Sequence, residues 1–306
     1  MTSYILRRLF LMLPVLLGIS VTVFSLIRLI PGDPVDLLLG QDYKKEVAEQ
    51  LRAQLGLDKP VYAQYGIFLR QLLKGDLGYS IRTGRPVAME LVERLKNTVQ
   101  LAAFATILAS VIGIASGVLA GTRPFSWLDG MTMAGAVAGV SIPVFWLGLM
   151  LIYVFAVRLQ WLPAVGIGGF RHLVLPGITL SAFAMATIAR QTRASMLEVM
   201  GQDYIKTARA KGVRERHVIL RHALKNAMIP VLTVQGVMVG QLLGGSIVTE
   251  TVFAFPGMGK MLIDGILERD YPIVQGAILL YGLSFSFINL VVDLAYALLD
   301  PRIAYD

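Results

Sequence analysis

Six uncharged apolar stretches divide this 306-residue chain, at Leu9–Ile27, Asn97–Thr122, Gly130–Val157, His172–Ala189, Asn226–Thr249 and Tyr271–Val292. The first, with 19 residues, reaches about 28 Å as a helix, close to the thickness of a bilayer's hydrocarbon core. Composition agrees: 56% of residues are hydrophobic and 16% charged, with a mean hydropathy of +0.66, which excludes a soluble globule. The expected fold class is therefore all-α integral membrane, with six transmembrane helices. The first stretch is too apolar for too long, and lacks a following small-x-small site, to read as a cleaved signal peptide; it reads as an uncleaved anchor.

Charge gives the orientation. Between Arg190 and Lys225 lie nine Lys or Arg against Glu198, Asp203 and Glu215, a net +6 of the chain's +8. Arg7, Arg8 and Arg123 fall on the same side, and the excess of Lys and Arg makes that side cytoplasmic, with both termini there. The opposite loop, Glu250 to Tyr271, carries Glu250, Asp264, Glu268 and Asp270 against Lys260 and Arg269. The +8 charge thus reflects cytoplasmic loops rather than a nucleic-acid footprint. At the centre of the basic loop, Asp203 to Gly212 reads as a short capped helix closed by glycine, a handle for a soluble partner.

Residues 31–96 lie outside, between the first two spans, with ten basic and nine acidic residues that nearly cancel. This segment reads as a small helical insertion. Periodicity predicts a helix over Asp42–Leu55, a second opened by Pro60 and stopped at Gly75, a turn at Gly75–Gly78, and a third starting at Pro86. The insertion either braces the first span or offers a docking surface. The chain is accordingly partitioned into an N-terminal helix (1–30), the insertion (31–96) and a five-helix core (97–306) with the basic loop at about 190–225.

Several chemistries are excluded. With no cysteine, disulfides and thiol chemistry are absent. His172, His217 and His222 lack metal-site spacing. Phe255-Pro-Gly-Met-Gly-Lys-Met261 lacks the upstream glycine and the Ser or Thr of a phosphate-binding loop, and falls on the outer face. Arg28 and Asp293, the ionisable candidates for a proton or ion relay, sit at opposite membrane faces. An energy source outside this chain is implied.

The spans instead carry close-packing residues. Gly113-Gly117-Gly121 and Gly236-Gly240-Gly244 recur at i, i+4, i+8, and Gly135 and Gly139 repeat the theme, allowing helix backbones to approach closely. For the second and third spans packing within the chain is the favoured reading. In the fifth, Gln235, Gln241, Ser246 and Thr249 add polar groups that suit a water-filled path or subunit seam. The candidate path residues are therefore Gln235, Gly240, Gln241, Ser246 and Thr249, with an intrachain seam as the alternative.

The basic loop resembles the EAA loop of ABC importer permeases: it keeps Ala208, Gly212 and Leu224 of that pattern and departs at Lys206, Thr207, His222 and Lys225. Other segments extend the resemblance: Leu29-Ile-Pro-Gly-Asp-Pro34, Gly75-Asp-Leu-Gly-Tyr-Ser80, Glu250-Thr-Val-Phe253, Phe255-Pro-Gly-Met-Gly259, Arg269-Asp-Tyr-Pro272 and Leu299-Asp-Pro-Arg-Ile303. Together they are similar to the B-type permeases of the dipeptide/oligopeptide/nickel importer family over nearly the whole chain. The resemblance implies a non-enzymatic permease subunit in a bacterial inner membrane. Its partners would be a second, C-type permease, two cytoplasmic ATPases and an extracytoplasmic substrate-binding protein received by the 31–96 insertion. It implies no cofactor on this chain, since ATP and magnesium belong to the ATPases. It assigns ATPase coupling to Asp203, Tyr204, Lys206, Thr207, Ala208, Arg209, Ala210, Lys211 and Gly212. Short peptides are the favoured substrate, with glutathione, nickel-chelates or oligosaccharides as alternatives within the family. A gated channel or ion-coupled carrier whose basic loop binds anionic lipid is the alternative from another class.

Overall fold

The structure is a computed structural model that describes residues 2–29, 49 and 58–299; for 2–9, 26–29 and 293–299 it describes the backbone alone. The described residues are mostly helical, with one isolated bridge, between Tyr79 and Pro86. Helices α1 (Thr2–Leu29), α2 (Val61–Leu73), α3 (Val87–Thr122) and α4 (Trp127–Ser141) are followed by α5 (Val144–Leu151), which runs into a π-helical stretch over Ile152–Arg158. Then come α6 (Phe170–Met200), α7 (Asp203–Ala210), α8 (Glu215–His217), a π-helical stretch over Val218–Ala223, α9 (Leu224–Val252), α10 (Met258–Leu267) and α11 (Tyr271–Leu299). Among the described residues, α3, α6, the Glu215–Val252 run and α11 are each long and apolar enough to cross a membrane, and α4 with the helix from Val144 passes the same test as a bent pair, which brings the count to five where the pair is one span. Within α1 the residues whose side chains are described, Phe10–Ser25, form an apolar helix. Apart from Glu49, the predicted Asp42–Leu55 helix, the Leu29–Pro34 motif beyond its first residue, and the terminal Asp300–Ile303 residues lie outside the described residues, as do the side chains of Arg28 and Asp293.

Three expectations about helix limits need correction. The third span is not one straight helix from Gly130 to Val157: α4 and the helix from Val144 meet at 107° across Ile142 and Pro143. Ile142 is extended (φ −79°, ψ 124°), as the clash of a following proline ring with helical backbone dictates. The insertion's third helix and the second span are one 36-residue helix, α3, with Pro86 just before it and no break at Asn97. The fourth helix does not stop at Ala189 but continues eleven residues to Met200. Ile188, Ala189, Thr192, Ser195 and Met196 keep a buried stripe running at helical spacing through the charged stretch. Arg190 and Arg193 therefore mark a change of solvent along a helix, not its end.

The chain divides into two compact units, Lys96–Lys260 with Phe285–Asp306 and Thr2–Leu95 with Met261–Ser284. In the second unit α2 packs on α1: the Tyr65 ring meets Phe24 edge-on at 5.1 Å, Phe68 joins them, and the hydroxyls of Ser20 and Tyr65 are hydrogen-bonded at 2.9 Å. The α2 part of residues 31–96 thus packs against α1. In the first unit, α6 lies against α3, α4, α5 and α9 around a core that includes Leu101, Leu175, Ile188, Val231 and Phe253.

Glycine decides the α3–α6 contact. A Cβ on Gly117 would stand 2.5 Å from Thr192 Cβ and 2.6 Å from the Ala189 carbonyl oxygen; on Gly113 it would stand 2.9 Å from the Met185 oxygen. Gly121 meets Met196 in the same way at 2.6 Å. This stripe packs within the chain, as does Gly139 against Ala186, whereas Gly135 has open space. Gly117→Ala is expected to destabilise the purified chain by about 1–3 kcal/mol through overpacking. Gly135→Ala should be neutral or gain up to about 1 kcal/mol of helix propensity. Thermal denaturation in detergent checks the contrast.

Candidate functional site

The site is built on the end of α6. Three residues after Met200 the chain starts α7, whose amphipathic pattern buries Ile205 and half-buries Ala208 while leaving Asp203, Tyr204, Lys206, Thr207, Arg209 and Ala210 exposed. Ile205 enters a small core with Met196, Val218, Ala223 and Ala227, against which Val118, Val199, Ala208 and Val213 also pack. The helix begins at Asp203: Gln202 is its N-cap and makes no side-chain capping hydrogen bond, and Asp203 lies in the first turn. There its charge favours the N-terminal amides, and it pairs with Lys206 at 2.8 Å.

The C-terminal end is tightly specified. Gly212 has φ +75°, its N–H donates to the Arg209 carbonyl at 2.9 Å, and the Val213 N–H donates to the Ala208 carbonyl at 3.2 Å. These two bonds form a Schellman closure, which satisfies carbonyls that the helix leaves free, and Ala208 and Val213 both pack on the same small core. Arg209 then grips Glu215 through two hydrogen bonds of 2.6 and 3.1 Å, and the Glu215 contact holds the Arg209 guanidinium above its ordinary pKa. Tyr204 receives a hydrogen bond from the Asn226 amide at 2.8 Å. All nine residues assigned to coupling thus sit on one small, firmly seated element, with Lys211 and Gly212 exposed at its end.

The five path residues are not brought together. Gln235 donates to the Ser110 hydroxyl of α3 at 2.7 Å, so it serves packing within the chain. Gly240 faces Phe285 and Asn289 of α11, where a Cβ would come 3.1 Å from the Phe285 ring; its close contact is intrachain, while Gly244 has open space. Ser246 and Thr249 are buried; Ser246 donates to the Leu243 carbonyl at 2.8 Å, and Thr249 Oγ1 has no hydrogen-bond partner among the described residues. Gln241 is exposed and lines a shallow groove with Val144, Phe183, Ala184, Met238 and Gly245.

Sequence reasoning missed three carboxylates. Among the described residues Asp129, Glu250 and Asp270 are buried, at 4%, 0% and 3% exposure, although Glu250 and Asp270 were counted as acids of an open outer loop. Glu250 accepts the Thr98 hydroxyl at 2.7 Å on one oxygen and the N–H groups of Gly259 and Lys260 at 2.7 and 3.1 Å on the other. Thr98 in turn accepts the Met258 N–H at 2.8 Å, and the Asn97 amide donates to the Pro256 carbonyl at 2.8 Å. The amides at the start of α10, in the stretch resembling a phosphate loop, hold the chain's own carboxylate. Gly257 is required there because a Cβ would run into the Glu250 carboxyl group. Asp270 accepts the Ser80 hydroxyl at 2.5 Å and the Arg82 and Ile273 N–H groups at 3.3 and 3.4 Å, joining two motifs 190 residues apart. Asp129 binds Arg193 bidentately, at 2.5 and 2.7 Å. The available signal was spacing: Ser126 three residues before Asp129, and Glu250 before a Gly-rich helix start.

This helical scaffold matches solved ABC-transporter permeases. It is similar to a chain of an inward-facing MetNI methionine ABC transporter, with a TM-score of 0.58 at 20% identity over 69% of this chain and 96% of the other. It also resembles a chain of an amino acid ABC transporter, with a TM-score of 0.54 at 14% identity over 68% and 93% of the two chains. The fold is therefore that of an ABC-transporter permease. Residues 96–305 match the family of binding-protein-dependent transport system inner membrane components, and residues 1–102 match that family's N-terminal region; the chain belongs to this family. It is 44% identical over 333 aligned positions to the dipeptide transport system permease protein DppB of Alkalihalophilus pseudofirmus. It is 46% identical over 305 to the glutathione transport system permease protein GsiC of Escherichia coli. Both alignments cover all of each chain. The protein is a multi-pass membrane permease subunit of an ABC importer, not an enzyme.

Removing the Glu250 carboxylate should be costly, because it leaves two buried donors, the Thr98 hydroxyl and the Gly259 N–H, and the half-buried Lys260 N–H without their acceptor. Glu250→Ala is expected to cost on the order of 3 kcal/mol, and Gly257→Ala, which invades the same cradle, should mimic it. Both should lower the melting temperature in detergent and open residues 250–260 to protease.

Proposed function

We propose that this chain is the permease half of an ATP-driven importer of short peptides, and that α7 is the element by which partner ATPases act on it. The observation that carries this reading is the exposed, Schellman-closed α7 seated at the end of α6. At eight residues it is about 12 Å long, enough to fill a groove on a soluble partner and too short to anchor in lipid. Six spans form the membrane part, counting α1 and the bent α4–α5 pair, with both termini cytoplasmic by the distribution of Lys and Arg. A second, C-type permease completes the path, to which Gln241 and the groove beside it contribute on this chain. The 31–96 insertion receives a substrate-binding protein outside. ATP and magnesium bind the ATPases. The peptide class is supported by the names of two full-length relatives, a dipeptide permease and a glutathione permease, since glutathione is a modified tripeptide.

Two experiments test the reading. Gly212→Val places a β-branched residue at φ +75°, a conformation costing about 1–2 kcal/mol. The assembled complex should still hydrolyse ATP but lose peptide uptake, and normal uptake would remove α7 from the coupling role. For topology, a cysteine-free chain permits single-cysteine labelling. Gln41→Cys should react with an impermeant reagent from outside and Lys211→Cys only after permeabilisation; reaction of Lys211→Cys from outside would invert the orientation.

A further inference from the structure

The Asp129–Arg193 pair adds a polar link between α6 and α4, which also pack through Gly139 and Ala186. Arg193 lies on the part of α6 beyond the apolar span, seven residues before the helix ends at Met200, or about 10 Å along its axis. Asp129 lies in the first turn of α4, the first limb of the bent third span. Both nitrogens of the Arg193 fork, Nε and Nη2, engage the two Asp129 oxygens at 2.5 and 2.7 Å. Asp129 Oδ2 also accepts the Phe125 N–H at 3.0 Å, and the Asp129 N–H donates to the Ser126 hydroxyl at 3.3 Å. The carboxylate is thus fixed from its own side by the α3–α4 turn, and the fork adds a planar, two-point link that resists both rotation and shear. The same stretch of α6 is pressed on α3 through Thr192 and Met196 at Gly117 and Gly121.

We infer that the Asp129–Arg193 pair is a positioning strut that carries displacement of α7, through the end of α6, to the bent third span. This inference rests on the proposed coupling role of α7. A helix end linked only by apolar contacts can slide over its neighbour; one held by a bidentate fork moves the neighbour with it. Arg193 and Asp129 touch neither ATP nor substrate in this scheme, and their effect is on how much uptake each hydrolysis event yields.

The test uses the complete complex, with both permeases, the ATPases and the binding protein, reconstituted in proteoliposomes with a dipeptide as probe. Uptake and ATP hydrolysis are measured together for Asp129→Asn, for Arg193→Lys, which keeps the charge without the fork, and for the double variant Asp129→Asn/Arg193→Gln, which leaves no unpaired charge. The expected result is an assembled complex that hydrolyses ATP while uptake per ATP falls roughly tenfold, within the range of typical coupling between sites. Normal uptake per ATP in an assembled Arg193→Lys or double-variant complex overturns the inference. So does failure of all three to assemble, which would make the pair an element of the fold alone. Gly212→Val run alongside separates the two readings. If it transports normally, the coupling role of α7 falls and the strut with it; if it uncouples while the Asp129 and Arg193 variants do not, the strut alone falls.

Discussion

A buried carboxylate in a membrane protein must be met by donors, because neither lipid nor a distant water layer will meet it. Glu250 satisfies that demand with two backbone amides at the start of α10 and the Thr98 hydroxyl of α3. The arrangement solves a second problem at once: a helix N-terminus buried near the membrane also carries amides without intrahelical partners. One side chain from the end of α9 closes both accounts, and the sharp path from Phe253 to Gly259 follows from it. Asp270 at Ser80 and Asp129 at Arg193 repeat the principle with a hydroxyl and a guanidinium. Each of these acids joins segments remote in the chain, and each fills a position where an apolar residue could not have specified a partner.

Between these polar fixtures the helices are held by close approach. Hydrophobic burial discriminates poorly when the surroundings are lipid, so contact at short range has to supply the difference. The Gly113-Gly117-Gly121 stripe lets α3 touch the backbone of α6 from Met185 to Arg193. That contact runs past the apolar part of α6 and supports its charged continuation. The loop with the highest charge density is consequently not a loose segment: it opens with about three more turns of a packed helix, and α7 is seated through Ile205 on the same small core as Met196 and Val218. A partner pulling on α7 pulls on a helix wedged between α3 and α4.

The division of labour among the polar residues of α9 follows from helix geometry. Gln235 and Gln241 are six residues apart, so they point to different sides at 3.6 residues per turn. Gln235 is taken by Ser110, and Gln241 is left on the groove beside Val144 and Phe183. Gly240 and Gly244, one turn apart, share a face, but only Gly240 lies at the level of Phe285, and Gly244 has open space. A single face for both the glycine stripe and the polar residues does not exist on this helix.

Much of this protein was legible in its residues. Uncharged runs the length of a bilayer announced a helical membrane protein, and the Lys and Arg surplus singled out the loop that carries α7. Gly212 announced its helix end, because a left-handed residue is what a Schellman closure needs and glycine adopts it without strain. Pro60 and Pro86 likewise preceded α2 and α3. These are local signals, decided within one or two turns of chain. The extent of α6 past Arg190, the partner of Gly240, and the burial of Glu250, Asp270 and Asp129 were decided by contacts with residues remote in the chain, from 45 positions away in Gly240–Phe285 to 190 in Asp270–Ser80. An acid next to a membrane span reads as solvated until the amides that receive it are in place, and only the packed helices put them there.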